Sequence, residues 1–201
     1  LISIPIVRAE TEDLAPNAKS AIMIEASTGE ILFQKNKDEK LAPASMTKMM
    51  SMLLIMEEIE NGHLKWNEMI TTSERASSMG GSQIFLKAGE KMSVEDLLKG
   101  VAIASGNDAV VALAERISGS EEAFVKRMNT RSKDLGLKNT NFVNSTGLSA
   151  DNHYSSAYDM SLIAKELVKH EKILEFTSTY EEYLRKNTKS PFWLVNTNRL
   201  V

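Results

Sequence analysis

The sequence predicts an α+β fold, and three observations carry that reading. One pair of short β-type segments sits near the N-terminus, joined by a tight turn. A run of capped helical segments follows it. Hydrophobic residues make up 42% of the chain and charged residues 25%, a globular balance with enough apolar material for a core.

The elements follow in order. Residues 19–26 and 30–34 read as two strands, and Ser27-Thr28-Gly29 is the turn that makes them a hairpin. A helix begins near Ser45, runs through the apolar stretch 49–56 to about Glu60, and stops at Asn61-Gly62. Residues 73–81 are small and polar, with Gly80-Gly81 breaking any helix. Ser93-Val94-Glu95-Asp96 is a capping-box pattern before an apolar run to Ala104. Residues 107–117 form a strong helical segment stopped at Ser118-Gly119, and Ser120-Glu121-Glu122 starts another that reaches Leu135-Gly136. Residues 139–151 are rich in Asn, Thr, Ser and Gly and read as a loop with short extended pieces. Ser156-Ala157-Tyr158-Asp159 opens a helix to about His170, and Trp193-Leu194-Val195 has strand character.

With 201 residues, the chain makes one large domain or one and a half. Net charge is −3, and no basic patch with interleaved aromatics points to a nucleic-acid partner. The absence of cysteine excludes disulfides, cysteine catalysis and thiolate metal sites. Residues 1–9 are apolar, lack an initiator Met and end in Val7-Arg8-Ala9, the pattern of a signal-peptide remnant with a small-residue cleavage site. Residues 10–201 are then the folded domain, and no segment approaches the ~20 apolar residues of a membrane span.

Ser45-Met46-Thr47-Lys48 places a serine and a lysine three apart, on one face of a helix. A hydroxyl is a weak nucleophile at neutral pH, and a lysine whose pKa is lowered by burial can take its proton. Backbone N–H groups at a helix start also point at a developing oxyanion. Alone the pattern is weak and reads first as structural, an N-cap serine and a solvated lysine. A second motif, Ser105-Gly106-Asn107, lies between two helices sixty positions on.

Together the two motifs and their flanks resemble the penicillin-recognising serine acyltransferases. Within that group the chain is similar to the low-molecular-weight D-alanyl-D-alanine carboxypeptidases. The likeness runs through residues 42–48, 103–109, 141–148 and 153–160 and covers nearly all of 17–201. It implies a β-lactamase/transpeptidase-like fold, with an antiparallel sheet flanked by helices and a mostly helical subdomain. It implies Ser45 as nucleophile, Lys48 as base, Ser105 as proton relay and Asn107 as a substrate-binding residue that helps position Lys48. The implied partners are a peptidoglycan stem peptide ending in D-Ala-D-Ala and the β-lactams that mimic it, with no metal or cofactor. The implied location is the outer face of a bacterial membrane.

The family's third motif, Lys-Thr-Gly or a variant, does not occur in these residues; Ser27-Thr28-Gly29 and Ser145-Thr146-Gly147 lack its cation. The expectation is a piece of a longer protein, inactive as 201 residues, with the third motif, a β-rich domain and a membrane-anchoring tail beyond it. A non-catalytic wall-binding or regulatory relative is the alternative. A class A β-lactamase is disfavoured because no Glu after Ser105 has Asn four residues on. His63, His153 and His170 show no metal-ligand spacing; His63 reads as a surface turn residue and His153 as a structural hydrogen-bonding one. Asp159 reads as a cap or packing residue, the 11 methionines as core, and Met46 and Met49 as pocket wall or core.

Overall fold

The computed structural model describes residues 13–201, so the leader expected over residues 1–9 lies outside the described residues. The chain folds as an α+β protein; among the described residues the strands pair antiparallel, in three two-stranded ladders. The predicted hairpin is β1 (Ala21–Ile24) and β2 (Ile31–Lys35), with a register irregularity at Met23/Ile24. Its turn is held by Glu25, whose carboxylate accepts from the N–H groups of Ser27 and Thr28 at 3.1 and 2.6 Å.

The Ser45 segment starts differently from a simple helix. Residues Ala44–Thr47 form a 3-10 turn, and α1 (Lys48–Glu60) continues from it. Ser45 therefore does not cap the helix; its side chain is free for another use. α1 ends at Asn61-Gly62 as the turn residues predict, with Gly62 at φ +75°. Eight of its 13 residues are buried, from Lys48 to Met56, as befits a helix apolar nearly all round.

Two short elements and a second ladder come next, none of them legible beforehand: β3 (Met69–Thr71), the single turn α2 (Glu74–Ser77), and β4 (Lys91–Ser93) paired with β3. α3 (Val94–Ala104), α4 (Asn107–Ser118) and α5 (Glu121–Asp134) follow. Ser93 and Ser120 cap α3 and α5, their hydroxyls accepting from the N–H groups of Asp96 and Ala123 at 3.1 Å each. α6 (Ala157–Leu167) is capped by Ser156 and ends three residues short of His170, which instead precedes α7 (Glu171–Thr177). The last ladder pairs β5 (Glu181–Leu184) with β6 (Phe192–Val195).

α1 and α4 pack against each other at the centre, with α3, α5 and α6 around them. Met50, Leu53 and Ile55 of α1 and Val110, Val111 and Leu113 of α4 are fully buried in this core. β1 lies on α6, and β6 lies on α3. This frame sets the N-terminal end of α1 beside the loop that precedes α6. No helix among the described residues is long and apolar enough to cross a membrane.

Candidate active site

Ser45 is exposed and Lys48 is 3% exposed, one turn further along. The Lys48 Nζ donates to Ser45 Oγ at 3.4 Å and to the Thr146 carbonyl at 2.8 Å. No carboxylate pairs with Lys48 among the described residues. Burial without a counter-charge disfavours the ammonium and pulls its pKa from 10.5 down to about 8. About a tenth of the amine is then neutral at pH 7, in contact with a hydroxyl it can deprotonate.

The residue that enters this turn is in an uncommon conformation. Ala44 has φ +47°, a left-handed backbone that costs an L-residue of order 1–2 kcal/mol. The loop at 144–148 holds it there. A Cβ on Gly147, itself at φ +85°, would lie 1.8 Å from the Ala44 carbonyl oxygen and 3.0 Å from the Ser45 nitrogen. Only glycine permits that approach. Asn144 folds the loop, its Oδ1 accepting from Thr146 N, Thr146 Oγ1 and Gly147 N at 3.2, 3.1 and 2.7 Å. Ser145 anchors it to the core. Its N–H and hydroxyl donate to buried Glu121 at 3.0 and 2.8 Å, and its carbonyl accepts from Ser51 Oγ at 2.8 Å. Arg75 pairs with the other oxygen of Glu121.

The second motif is also strained. Ser105 ends α3 at φ +57°, with its N–H returning to Val101 O and the Gly106 N–H to Gly100 O, each at 3.0 Å. The Ser105 hydroxyl is buried with no hydrogen-bond partner among the described residues, and so is the Asn107 Oδ1. Unpartnered polar atoms at such a position are costly unless a ligand meets them. The Asn107 Nδ2 donates to Gly80 O at 2.7 Å, and a Cβ on Gly81 (φ +78°) would sit 2.8 Å from that amide nitrogen. Gly81 therefore makes room for Asn107, while α2 has already ended at Ser77 with Ser78 as its C-cap.

Among the described residues no hydrogen bond joins Asn107 to Lys48; the Thr146 carbonyl is the polar atom that fixes the amine. The two motifs meet through the 144–148 loop instead, since the same point above Gly81 lies 3.6 Å from Leu148. Thr146, Gly147 and Asn144 were not singled out from the sequence as site residues. The signal available was the turn composition Asn-Ser-Thr-Gly, which resembled the family stretch without revealing its contacts.

Asp108 is a further positioning residue the sequence did not flag. It is fully buried, and its carboxylate accepts from the N–H groups of Ile84, Ala109 and Leu86 at 3.1, 2.9 and 2.9 Å. It ties the 80–86 loop, and with it the Asn107 cradle, to the start of α4. Asp108→Ala leaves two buried loop N–H groups without an acceptor and is expected to cost about 2–5 kcal/mol. A urea midpoint within error of wild type would refute this anchoring role.

The remaining candidates have structural surroundings. The His153 Nδ1 accepts from Val143 N–H at 3.1 Å and its Nε2 contacts Thr47 Oγ1 at 2.8 Å, which fixes a neutral ring with its proton on Nε2. Burial lowers its pKa, consistent with that state. The Asp159 N–H donates to the α6 cap Ser156 Oγ at 3.2 Å, and its carboxylate accepts from Asn139 N and Thr140 Oγ1, both at 2.7 Å. His63 is on the surface near Glu58, and His170 bonds Glu60 at 2.6 Å. No cluster of three or more His, Cys, Asp or Glu able to hold a metal occurs among the described residues. Met46 is half exposed at the entrance to Ser45, and Met49 packs against the core.

A helical domain with antiparallel ladders, opening a Ser-x-x-Lys turn toward a Ser-x-Asn turn, is the fold of the penicillin-binding and transpeptidase class. Solved structures agree. DacD from Francisella tularensis, described as a D-alanyl-D-alanine carboxypeptidase, superposes with a TM-score of 0.86 at 35% identity, over 95% of this chain and 46% of that one. Penicillin binding protein 5 from Haemophilus influenzae does so with a TM-score of 0.83 at 35% identity, over 89% and 52%. The family model described as D-alanyl-D-alanine carboxypeptidase, peptidase S11, matches residues 7–201, and the chain belongs to that family. It is 63% identical to D-alanyl-D-alanine carboxypeptidase DacF of Bacillus subtilis over 95% of this chain and 49% of the relative. It is 37% identical to DacC of Escherichia coli over 90% and 48%. The chain thus spans about half the length of the curated relatives it matches.

Proposed function

We propose that the protein is a serine D-Ala-D-Ala carboxypeptidase acting on peptidoglycan stem peptides outside the cytoplasm, through an acyl-enzyme that β-lactams trap. The observation that carries this reading is the exposed Ser45 hydroxyl in contact with a buried, unpaired Lys48 amine whose pKa falls to about 8.

The geometry supports the following steps. Lys48, held by the Thr146 carbonyl, takes the Ser45 proton as Oγ attacks the carbonyl carbon of the penultimate D-Ala. The Ser45 N–H, at the start of the helical turn, stabilises the oxyanion. The C–N bond to the terminal D-Ala then breaks, and its nitrogen receives a proton by way of the Ser105 hydroxyl, which has no partner of its own. The Asn107 amide, with an unpartnered Oδ1 and a fixed Nδ2, bonds the substrate backbone. Water releases the peptide and restores Ser45. The cation that takes the substrate's terminal carboxylate belongs to a motif not found within residues 1–201.

The test is covalent labelling of the gene product that carries residues 1–201. With benzylpenicillin, wild type is expected to gain one antibiotic mass by intact mass spectrometry, and Ser45→Ala none. An adduct that survives in Ser45→Ala sinks the assignment. A wild type that never labels favours the non-catalytic wall-binding reading.

A further inference from the structure

Three carboxylates are buried among the described residues: Asp108, Glu121 and Asp159. Asp108 serves the 80–86 loop, and Asp159 the residues at 139–140. Glu121, 3% exposed in the first turn of α5, is committed to the loop that touches Lys48. Its Oε1 accepts both the N–H and the hydroxyl of Ser145, at 3.0 and 2.8 Å, and its Oε2 pairs with Arg75 of α2. A buried carboxylate is costly to desolvate, and a residue present only to fill space would not bear that cost. What the charge supplies is a pair of charge-assisted hydrogen bonds that converge on one residue and are stronger than neutral ones.

Ser145 is gripped on every side. Ser51, one turn along α1 from Lys48, donates to its carbonyl at 2.8 Å, so its N–H, hydroxyl and carbonyl are all bonded. The next carbonyl along the chain, that of Thr146, accepts from the Lys48 amine at 2.8 Å. We propose that Glu121 is a positioning residue for acylation: through Ser145 it holds the Thr146 carbonyl, and with it the Lys48 amine, within reach of Ser45 Oγ. The inference rests on the reading of the Ser45 site given above. Arg75 completes the device by neutralising Glu121, so that no bare negative charge lies behind the loop. Glu122 of α5, 3.6 Å from Arg75, and Glu115 of α4 act on the same guanidinium. No charged group pairs with Lys48 among the described residues, and burial is what lowers its pKa. A loop released from Glu121 would let water reach the amine, and its pKa would rise.

The test follows acylation by saturating benzylpenicillin against pH in the gene product that carries residues 1–201, for Glu121→Met, Glu121→Asp and Glu121→Gln. Methionine accepts no hydrogen bond from Ser145, and aspartate, one methylene shorter, cannot reach Ser145 and Arg75 together. Both variants are expected to acylate about 10²-fold more slowly than wild type. The midpoint of their pH profiles should move from about 8 to about 9 or above. Glutamine keeps an acceptor oxygen at the same reach, and half-exposed Arg75 can turn to Glu122. That variant should recover to within about fivefold of wild type, with its midpoint still near 8. A purely structural Glu121 would lower the urea midpoint of the methionine variant but leave the rate and pH midpoint of its folded molecules unchanged, which overturns the proposal. A glutamine variant as impaired as the aspartate one also overturns it, and that comparison stands even if the methionine variant does not fold. If wild type is never acylated, the Ser45 reading fails separately. The hold on Lys48 is then read from its carbamylation by cyanate against pH, mapped by peptide mass spectrometry. The amine midpoint should rise in the aspartate variant and not in the glutamine one; equal midpoints overturn the proposal.

Discussion

Lys48→Met is expected to slow acylation by penicillin about 10²–10⁴-fold, the range for losing a general base, while leaving the fold as stable as wild type or more so. The two effects have one origin. Lowering an amine pKa from 10.5 to about 8 corresponds to about 3 kcal/mol borne by the folded state when the lysine is charged. Methionine has similar reach and no charge to desolvate, so that cost disappears. The Thr146 carbonyl loses its donor, which returns about 1–3 kcal/mol of it. The pH dependence separates this from a packing effect. Because the folded pKa lies below the unfolded one, the unfolded chain binds more protons between about pH 8 and 10.5. Lys48 therefore contributes most above pH 10.5, and that contribution is lost as pH falls through about 8. Wild type should gain stability relative to Lys48→Met as pH rises from 8 to 10, read as urea midpoints. A constant difference would mean that the amine is not the group being desolvated. In the wild type, the acylation rate should climb with pH through about 8 as the base becomes neutral.

Gly147→Ala should be as damaging from a position with no chemistry of its own. The new methyl would sit 1.8 Å from the Ala44 carbonyl oxygen, a distance no side chain can tolerate, and the obstacle is backbone that cannot rotate away. The left-handed φ of +85° adds its own penalty for a residue with a Cβ. About 2–4 kcal/mol of stability should be lost. The chain must also move Ala44 or the Thr146 carbonyl, which misplaces Ser45 or Lys48. Penicillin labelling should therefore fall by about 10²-fold or more, the cost of roughly an ångström of misplacement. Labelling at the wild-type rate, with the fold intact, would show that the 144–148 loop does not set the nucleophile. The corresponding change at Gly62, where a Cβ meets nothing within 4 Å, is the control for backbone strain alone.

How much of this could be read from the sequence depends on how far apart the interacting residues lie. Caps join a hydroxyl to an N–H three residues on, so the serines at 93, 120 and 156 announced their helices, and Asn61-Gly62 announced the end of α1. Ser45 and Lys48 are also three apart, and a single helical turn is enough to bring them together. The ladder of β3 and β4 was invisible because each strand is three residues long and its pairing joins Met69 to Ser93. Strands that short carry no periodicity, and their stability comes from the partner. β5 was missed for the same reason, while β6 showed through its apolar Trp193-Leu194-Val195.

The sequence by itself determined the family, the order of the helices and the identity of the Ser-x-x-Lys and Ser-x-Asn pairs. These are written in spacings of a few residues, and local backbone geometry converts them directly into shared faces and turns. Only the tertiary structure decided that the amine of Lys48 is dry, that a carbonyl 98 positions away holds it, and that Gly147 must be a glycine. Burial and close backbone approach are properties of the packed chain. They arise when distant segments exclude water from one another, and no local pattern of residues encodes them.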